Sequence, residues 1–178
     1  MRTQLALALG CLLAAGGVAA ETADAAALPL IEITEVQWAQ RVDAASRNVI
    51  GAQQQARAYV PLVLWMRIHA GEAALNRLET AGRLPIRHRW FRESYAGVSA
   101  EGVTDMTDSI ALDAGSREKL GALRQEVAVR GHFDWRTWSH KARPGPGRWR
   151  VAVVYADNTP VMCGSENPQP CRYSITVK

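Results

Sequence analysis

The sequence predicts a mainly β protein: an antiparallel, immunoglobulin-like β-sandwich with one or two short helices. Several short segments alternate between apolar and polar residues, which is the period of strands that bury one face. Turn-forming Gly, Pro and Asn separate these segments at intervals typical of sandwiches. We expect large aromatic side chains to lie between the two sheets. The indoles assigned to the core are Trp65, Trp90, Trp135 and Trp149.

The first twenty residues predict a cleaved secretory signal. Arg2 supplies the positive charge, an apolar run follows, and Val18-Ala19-Ala20 fits a small-residue cleavage site. We expect residues 21–30 to form an Ala-rich leader and residues 31–178 to form a single domain in the periplasm or outside the cell. A lipid anchor at Cys11 remains an alternative.

Charge and hydropathy exclude two classes of partner. The formal net charge is +4, too small a surplus to be the electrostatic footprint of a nucleic-acid-binding protein. Beyond the signal, no apolar run approaches the length of a membrane span. We therefore expect no nucleic-acid partner and no transmembrane segment in the mature chain.

Two cysteines beyond the signal predict a disulfide. Cys163 and Cys171 flank a turn-rich loop, and in an oxidising compartment this pattern indicates a structural bridge. A redox pair and a metal site are the alternatives. Redox proteins favour a tighter spacing, and a zinc site needs further ligands nearby.

The first part of the domain contains two expected strands and one ambiguous segment. We expect a strand over Ile31–Trp38, with a phase slip near Glu35. The composition of Gln40–Ala58 favours a helix, but its apolar stripe is ragged. Tyr59–His69 is the strongest candidate for a central strand, with Pro61 at its start or on an edge.

The middle of the domain is expected to alternate between strands and connections. Leu75–Gly82 fits a turn or short helix, and Leu84–Phe91 fits a strand. We expect Tyr95–Asp108 to be a loop and Ser109–Asp113 a short strand. Ser116 is a candidate cap for a two-turn helix.

The remaining segments are expected to be strands. Val127 and Val129 are expected to open one, with Gly131 as a bulge before Phe133. The Pro144–Gly147 tract should then turn the chain. The last expected strands cover Trp149–Tyr155 and Tyr173–Val177.

Four segments resemble a bacterial protein family. Trp135–Lys141 is Trp-Arg-Thr-Trp-Ser-His-Lys, and Pro144–Val151 fits Pro-Gly-x-Gly-x-Trp-x-Val. Together with His88-Arg89-Trp90 and the extended Leu62–Ile68, these motifs resemble the "domain of unknown function 2914" family. The resemblance covers roughly Tyr59–Lys178. It implies a related fold but no activity, since the family has none assigned.

This chain departs from the family's pattern in two places. The stretch Val98–Arg130 is longer than the family's connection, and the cysteine-closed loop is an addition. Because of these two departures, the resemblance does not imply that this chain binds the same ligand as other members of the family.

Arginine and tryptophan alternate in the strands that carry the motifs, which suggests a contact face. On this alternation Arg136 and Trp138 point outward, as do Arg148 and Arg150. Guanidinium groups bind phosphate and carboxylate and stack on indole, so these four residues are the predicted binding residues. The alternative is a solvated arginine face that only shields the sheet.

Histidines provide a second set of candidates. We expect His88 to be a satisfied core or boundary residue, because its neighbours along the strand face are apolar. His132, Asp134 and His140 lie close in sequence, but three such residues around a possible bulge are weak support for a metal site. We therefore expect no metal, cofactor or catalytic residue.

The function expected from these observations is a non-enzymatic binding or interaction domain of the bacterial envelope. The sequence contains no nucleophile elbow, phosphate-cradling Gly loop or recognisable catalytic carboxylate pair. The expected partner is an envelope protein or an anionic glycan. Two alternatives remain: a carbohydrate-binding module that uses an exposed Trp, and a hydrolase or metal enzyme of unfamiliar pattern.

Overall fold

The computed structural model describes residues 30–95, 98–99 and 104–178. The predicted signal sequence and most of the predicted leader lie outside these residues. In chain order the elements are β1 (Ile31–Val42), β2 (Val49–Ala52), β3 (Gln55–Ala56), β4 (Leu62–Ala70), α1 (Glu72–Ala81), β5 (Arg83–Tyr95), β6 (Val98–Ser99), β7 (Thr104–Asp113), α2 (Arg117–Arg130), β8 (Phe133–Lys141), β9 (Gly147–Tyr155), β10 (Met162–Cys163), β11 (Gln169–Pro170) and β12 (Arg172–Val177).

Two mostly antiparallel sheets face each other. The four-stranded sheet has the order β2-β1-β4-β8. The six-stranded sheet has the order β3-β12-β9-β5-β6, with β7 also paired to β5. The short β3 pairs with β12 in parallel, and β10 pairs with β11 as a separate ribbon.

The main core fills the space between the sheets. Leu64 and Met66 of β4 are fully buried, as are Trp90 of β5 and Val151 of β9. The rings of Trp38 and Trp90 meet edge to face across the core, with centroids 5.7 Å apart. The predicted fold class, an antiparallel β-sandwich with two short helices, is confirmed.

Alternating burial along β8 and β9 follows the prediction. Trp135 is 8% exposed and Trp149 is 2% exposed, so both indoles are part of the core. Pro61 directly precedes β4, as expected for a residue without an amide donor. The register of β1 against β4 shifts between Ile33 and Glu35, where the phase slip was predicted.

Both helices pass from one sheet to the other at the same end of the sandwich. Helix α1 leads from β4 to β5, and α2 leads from β7 back to β8. Ala70 pairs with Phe133 in one sheet, and Arg83 pairs with Asp113 in the other, so the strand ends that receive the helices are neighbours. We call this the helix end of the sandwich.

The helical preference of Gln40–Ala58 is wrong. Strand β1 continues to Val42 and forms a hairpin with β2. The carboxylate of Asp43 accepts hydrogen bonds from the backbone N–H of Ser46, at 2.7 Å, and from its hydroxyl, at 2.8 Å. This turn and the pairing along β1 outweigh the weak helix propensity of the composition.

The prediction of a loop over Tyr95–Asp108 is wrong for the residues that lie in paired strands. Val98–Ser99 and Thr104–Asp108 lie in β6 and β7, both paired with the long β5. Residues 96–97 and 100–103 lie outside the described part of the chain. Pairing with an exposed strand edge overrides the polar, turn-like composition.

The end of α2 also differs from the prediction. Ser116 caps the helix as predicted, with its hydroxyl accepting from the Lys119 N–H at 3.1 Å. However, the helix continues to Arg130, so the predicted strand at Val127 and Val129 and the predicted bulge at Gly131 are wrong. Gly131 ends the helix in the left-handed conformation, with φ of 78°.

Candidate functional site

The four predicted binding residues lie on two different faces of the molecule. Arg136 and Trp138 belong to β8, on the outer face of the four-stranded sheet. Arg148 and Arg150 belong to β9, on the outer face of the six-stranded sheet. Because the core separates these faces, the single contact surface assumed from the sequence does not exist, and each pair has its own surroundings.

The β1–β2 hairpin engages Arg136. Its guanidinium donates to the backbone carbonyl of Ser46 at 2.9 Å and to the side-chain oxygen of Asn48 at 3.1 Å. Arg136 therefore holds the hairpin turn against the sheet, which is a structural role.

Trp138 packs into a small second core on the same outer face. Its neighbours there include Val63 and Trp65 of β4, which are 5% and 3% exposed. The indole N–H of Trp65 donates to the carbonyl of Arg47 at 2.8 Å, so the hairpin covers this tryptophan. Trp65 is buried as predicted, but outside the main core.

A shallow groove lies on the outer face of the six-stranded sheet, above Ala152. In the strand register Ala152 of β9 stands between Arg89 of β5 and Arg172 of β12. Side chains directly opposite in antiparallel strands lie on the same face, so two arginines flank one methyl group. The short side chain of Ala152 leaves a gap of about 150 Å³ between them.

Phe91 and Arg150 close one side of this groove. The guanidinium carbon of Arg89 lies 5.4 Å from the centroid of the Phe91 ring, and that of Arg150 lies 5.3 Å away. Two guanidinium groups thus share one phenyl ring, which fixes their positions by cation–π contact. We call the surface formed by Arg89, Arg150, Arg172, Phe91 and Ala152 the arginine groove.

Glu93 balances part of the charge beside the arginine groove. Its carboxylate pairs with Arg150 at 2.8 Å and with Arg148 at 3.0 Å. Among the described residues, no carboxylate lies within ion-pair distance of Arg172, which is exposed. Arg172 therefore brings to the groove a positive charge that no described carboxylate pairs with.

The predicted disulfide is present and forms the rim of the groove. Cys163 and Cys171 are bonded, with Cα atoms 5.2 Å apart, and they tie together the β10–β11 ribbon. Pro160, Pro170 and Cys171 line the groove on this side. The disulfide thus fixes one wall of the arginine groove as well as closing a loop.

Only part of this groove was predicted from the sequence. Arg150 was expected on the outward face of its strand, but Arg89, Phe91 and Arg172 were not among the predicted binding residues. Alternation in Arg172–Val177 puts Arg172 opposite the inward Tyr173 and Ile175, and this was the available signal. Which strands would become neighbours was not readable from that pattern.

A buried serine–histidine contact crosses the core. His88 Nδ1 lies 2.7 Å from the hydroxyl oxygen of Ser139, which also accepts from the Trp90 indole N–H at 3.0 Å. Burial lowers the pKa of His88 to about 3, so the ring is neutral. Since His88 is 0% exposed and Ser139 is 1% exposed, no substrate reaches this pair.

The fold and the groove define a disulfide-bonded β-sandwich with arginines clustered on one outer face. Among the described residues, no helix is long and apolar enough to cross a membrane. The chain is similar to an immunoglobulin-like protein from Pseudomonas aeruginosa, with 10% identity and a TM-score of 0.39. That similarity covers 83% of this chain and 96% of the other. No protein-family model and no curated protein matches the sequence.

Proposed function

We propose that the protein is an exported, non-enzymatic binding module of the bacterial envelope that holds an acidic group in the arginine groove. The observation that carries this proposal is the placement of Arg89 and Arg172 on either side of Ala152, with Arg150 beside them. A site that collects guanidinium groups around a small residue offers room and charge for one anionic group.

The chemistry of the groove favours sulfate, phosphate or carboxylate. Guanidinium groups present paired N–H donors in a plane, which match two oxygens of such a group. Arg89 and Arg150 are already ordered against Phe91, so less side-chain entropy is lost when they bind. We infer that the natural partner is an anionic glycan of the envelope, with an acidic protein as the alternative outcome.

Export is part of the same proposal. The predicted signal sequence supports a location in the periplasm or outside the cell, and the Cys163–Cys171 bond is compatible with such an oxidising compartment. Membership of the "domain of unknown function 2914" family stays a proposal that rests on the motifs alone.

The alternative functions have less support. Stacking of sugar on Trp138 is disfavoured because this indole packs against Trp65 and its neighbours. Catalysis by the His88–Ser139 pair is disfavoured because both residues are buried. The arginine groove remains the best-supported site.

Binding to an array of sulfated, phosphorylated and carboxylated oligosaccharides tests the proposal. The double variant Arg89→Gln/Arg172→Gln removes the two sides of the groove and should lose at least about tenfold in affinity for any acidic glycan that the wild type retains, which corresponds to about 1.4 kcal/mol. The matched control is Arg41→Gln/Arg143→Gln, which removes the same charge from exposed positions.

The control variant is expected to bind like the wild type. Equal binding by all three proteins would overturn the groove assignment. An equal loss of affinity in both double variants would show instead that the contact is non-specific charge attraction, which would also overturn it. A wild type that binds no acidic glycan and instead captures an acidic envelope protein, in a way that depends on Arg89 and Arg172, would overturn the glycan assignment. That result would identify an acidic protein as the partner of the groove.

A further inference from the structure

Two imidazoles and one carboxylate meet at the helix end, on the outer face of the four-stranded sheet. His69 of β4 and Asp134 of β8 are directly opposite in register. Nε2 of His69 lies 3.0 Å from Oδ1 of Asp134. His132 stacks on His69 with ring centroids 3.9 Å apart. One donor atom from each residue lies within 4.8 Å of the other two.

We propose that His69, His132 and Asp134 bind a divalent transition-metal ion, with Zn²⁺ the best match. Zinc takes imidazole nitrogen and carboxylate oxygen, and its sites commonly combine them. Calcium and magnesium prefer oxygen ligands alone, so this donor set selects against them. The proposal is independent of the arginine groove, which lies on the other sheet.

The proposed ligand set differs from the one considered in the sequence. His140 lies six residues beyond Asp134 on β8, which is about 20 Å along a strand, since each residue adds ~3.3 Å. Pairing of β4 with β8 brings in His69 instead. The metal site was not expected from the sequence because its ligands come from two distant parts of the chain.

The cluster is already organised around a cation. The guanidinium of Arg130 donates to Oδ2 of Asp134 at 2.9 Å and lies 3.3 Å from Nε2 of His132. These are two of the three residues that would hold the metal. Arg130 therefore already places a positive charge beside Asp134 and His132.

Arg130 can leave this position readily. Its side chain is 46% exposed and ends α2, and the carboxylate of Glu126 lies one helical turn back at 3.9 Å. Metal entry would exchange the contact between Arg130 and Asp134 for a metal–carboxylate bond, while Glu126 remains as a partner for Arg130. Arg130 is therefore a competitor that lowers the metal affinity.

A further carboxylate lies within reach. Glu32 of β1 is directly opposite His69 on the other side from Asp134, and its side chain is exposed. Opposite residues in antiparallel strands have Cβ atoms about 4.5–5.5 Å apart. After a change of rotamer Glu32 could supply a fourth ligand, or water could complete the coordination.

Titration of the untagged protein with Zn²⁺, by calorimetry in a non-chelating buffer, tests the proposal. We expect one saturable equivalent. His69→Ala and His132→Ala should each weaken binding at least about tenfold, because even loss of an outer-shell partner costs ~10- to 100-fold. Arg130→Gln should bind more tightly than the wild type. The matched control, His140→Ala, removes an exposed histidine of the same sheet and should bind like the wild type.

Absence of saturable binding would overturn the proposal, as would equal binding by His69→Ala, His132→Ala and the wild type. A second measurement on the wild type covers the case in which a variant does not fold. Paramagnetic Co²⁺ should broaden the ring NMR signals of His69 and His132 and leave those of His140 sharp. Broadening of His140 alone, or of none of the three, would contradict the site.

Discussion

His88 is a fully buried imidazole whose one hydrogen-bond partner in the described structure connects it to the opposite sheet. The hydroxyl of Ser139 in β8 contacts both His88 and Trp90 of β5. Nε2 of His88 has no partner among the described residues. Burial removes the water that would stabilise the protonated ring, and this desolvation lowers the pKa of His88 to about 3.

This pKa predicts a loss of stability in acid. The unfolded chain takes up a proton at His88 near pH 6.5, whereas the folded chain resists it until about pH 3. The contribution of the neutral His88 to the free energy of unfolding is therefore complete above pH 6.5. It falls as the pH drops toward 3, by at most ~1.4 kcal/mol per pH unit. Urea unfolding at pH 7, 6 and 5 should show the wild type losing stability relative to His88→Gln. The exposed control His140→Gln should follow the wild type, and parallel curves for His88→Gln and wild type would refute this account.

We predict that the Ser139 hydroxyl stabilises the fold through its buried hydrogen bonds with His88 and Trp90. Ser139→Ala leaves the Trp90 N–H and the ring of His88 without their shared partner, and an unsatisfied buried group costs about 1–3 kcal/mol. Urea unfolding at pH 7 measures the loss. Ser174→Ala, at an exposed position of β12, should change the free energy of unfolding by less than about 0.5 kcal/mol. Equal effects of the two substitutions would mean that the buried contact contributes nothing.

Among the elements, α2 departs furthest from its predicted course. Val127 and Val129 suggested a strand because β-branched residues two positions apart fit its period. The spacing of Leu120, Leu123 and Val127 instead suits a helix face, and all three contact the core. Val129 is 84% exposed, so only the first of the two valines contributes to packing.

Replacing the glycine inside α2 and the glycine at its end by Ala should change the stability of the protein in opposite directions. Gly131→Ala places a Cβ in the left-handed conformation and should destabilise the protein by about 1–2 kcal/mol. Gly121→Ala lies inside the helix with nothing within 4 Å of the added Cβ, and it should stabilise by up to about 1 kcal/mol. Thermal unfolding of both variants checks this. A neutral or stabilising Gly131→Ala would contradict the helix end described above.

The disulfide ribbon is the other element with a measurable contribution. Replacing Cys163 and Cys171 together by Ser reopens a short loop and should cost about 2–3 kcal/mol on the chain-entropy model. Because Cys171 also lines the arginine groove, binding of acidic glycans should weaken as well. Unfolding and array binding of the double variant measure the two effects. Weakened stability with unchanged binding would show that the ribbon does not shape the groove.

For the molecule as a whole, period-two alternation was enough to predict the fold class. It placed Trp135 and Trp149 in the core and Arg136 and Arg148 outside. Alternation states whether a side chain points inward or outward, but not to which sheet its strand belongs. Strands β8 and β9 are consecutive in sequence and lie in different sheets, so their outward arginines face opposite directions.

The same reason explains what the sequence could not provide about the sites. Arg89 and Arg172 meet only because β5 and β12 both pair with β9. His69 and Asp134 meet only because β4 pairs with β8. Such long-range pairings depend on the packing of the whole sandwich, and no local pattern in the chain encodes them.

Amide chemical shifts of the isotopically labelled protein, followed during titration with a sulfated oligosaccharide, test the central claim most directly. We predict saturable shifts confined to the arginine groove, at Arg89, Phe91, Ala152 and Arg172. Signals of Arg136 and Trp138, on the opposite face, should not move. Shifts centred on Arg136 and Trp138, or no saturable shift at all, would contradict the assignment of the binding face to the six-stranded sheet.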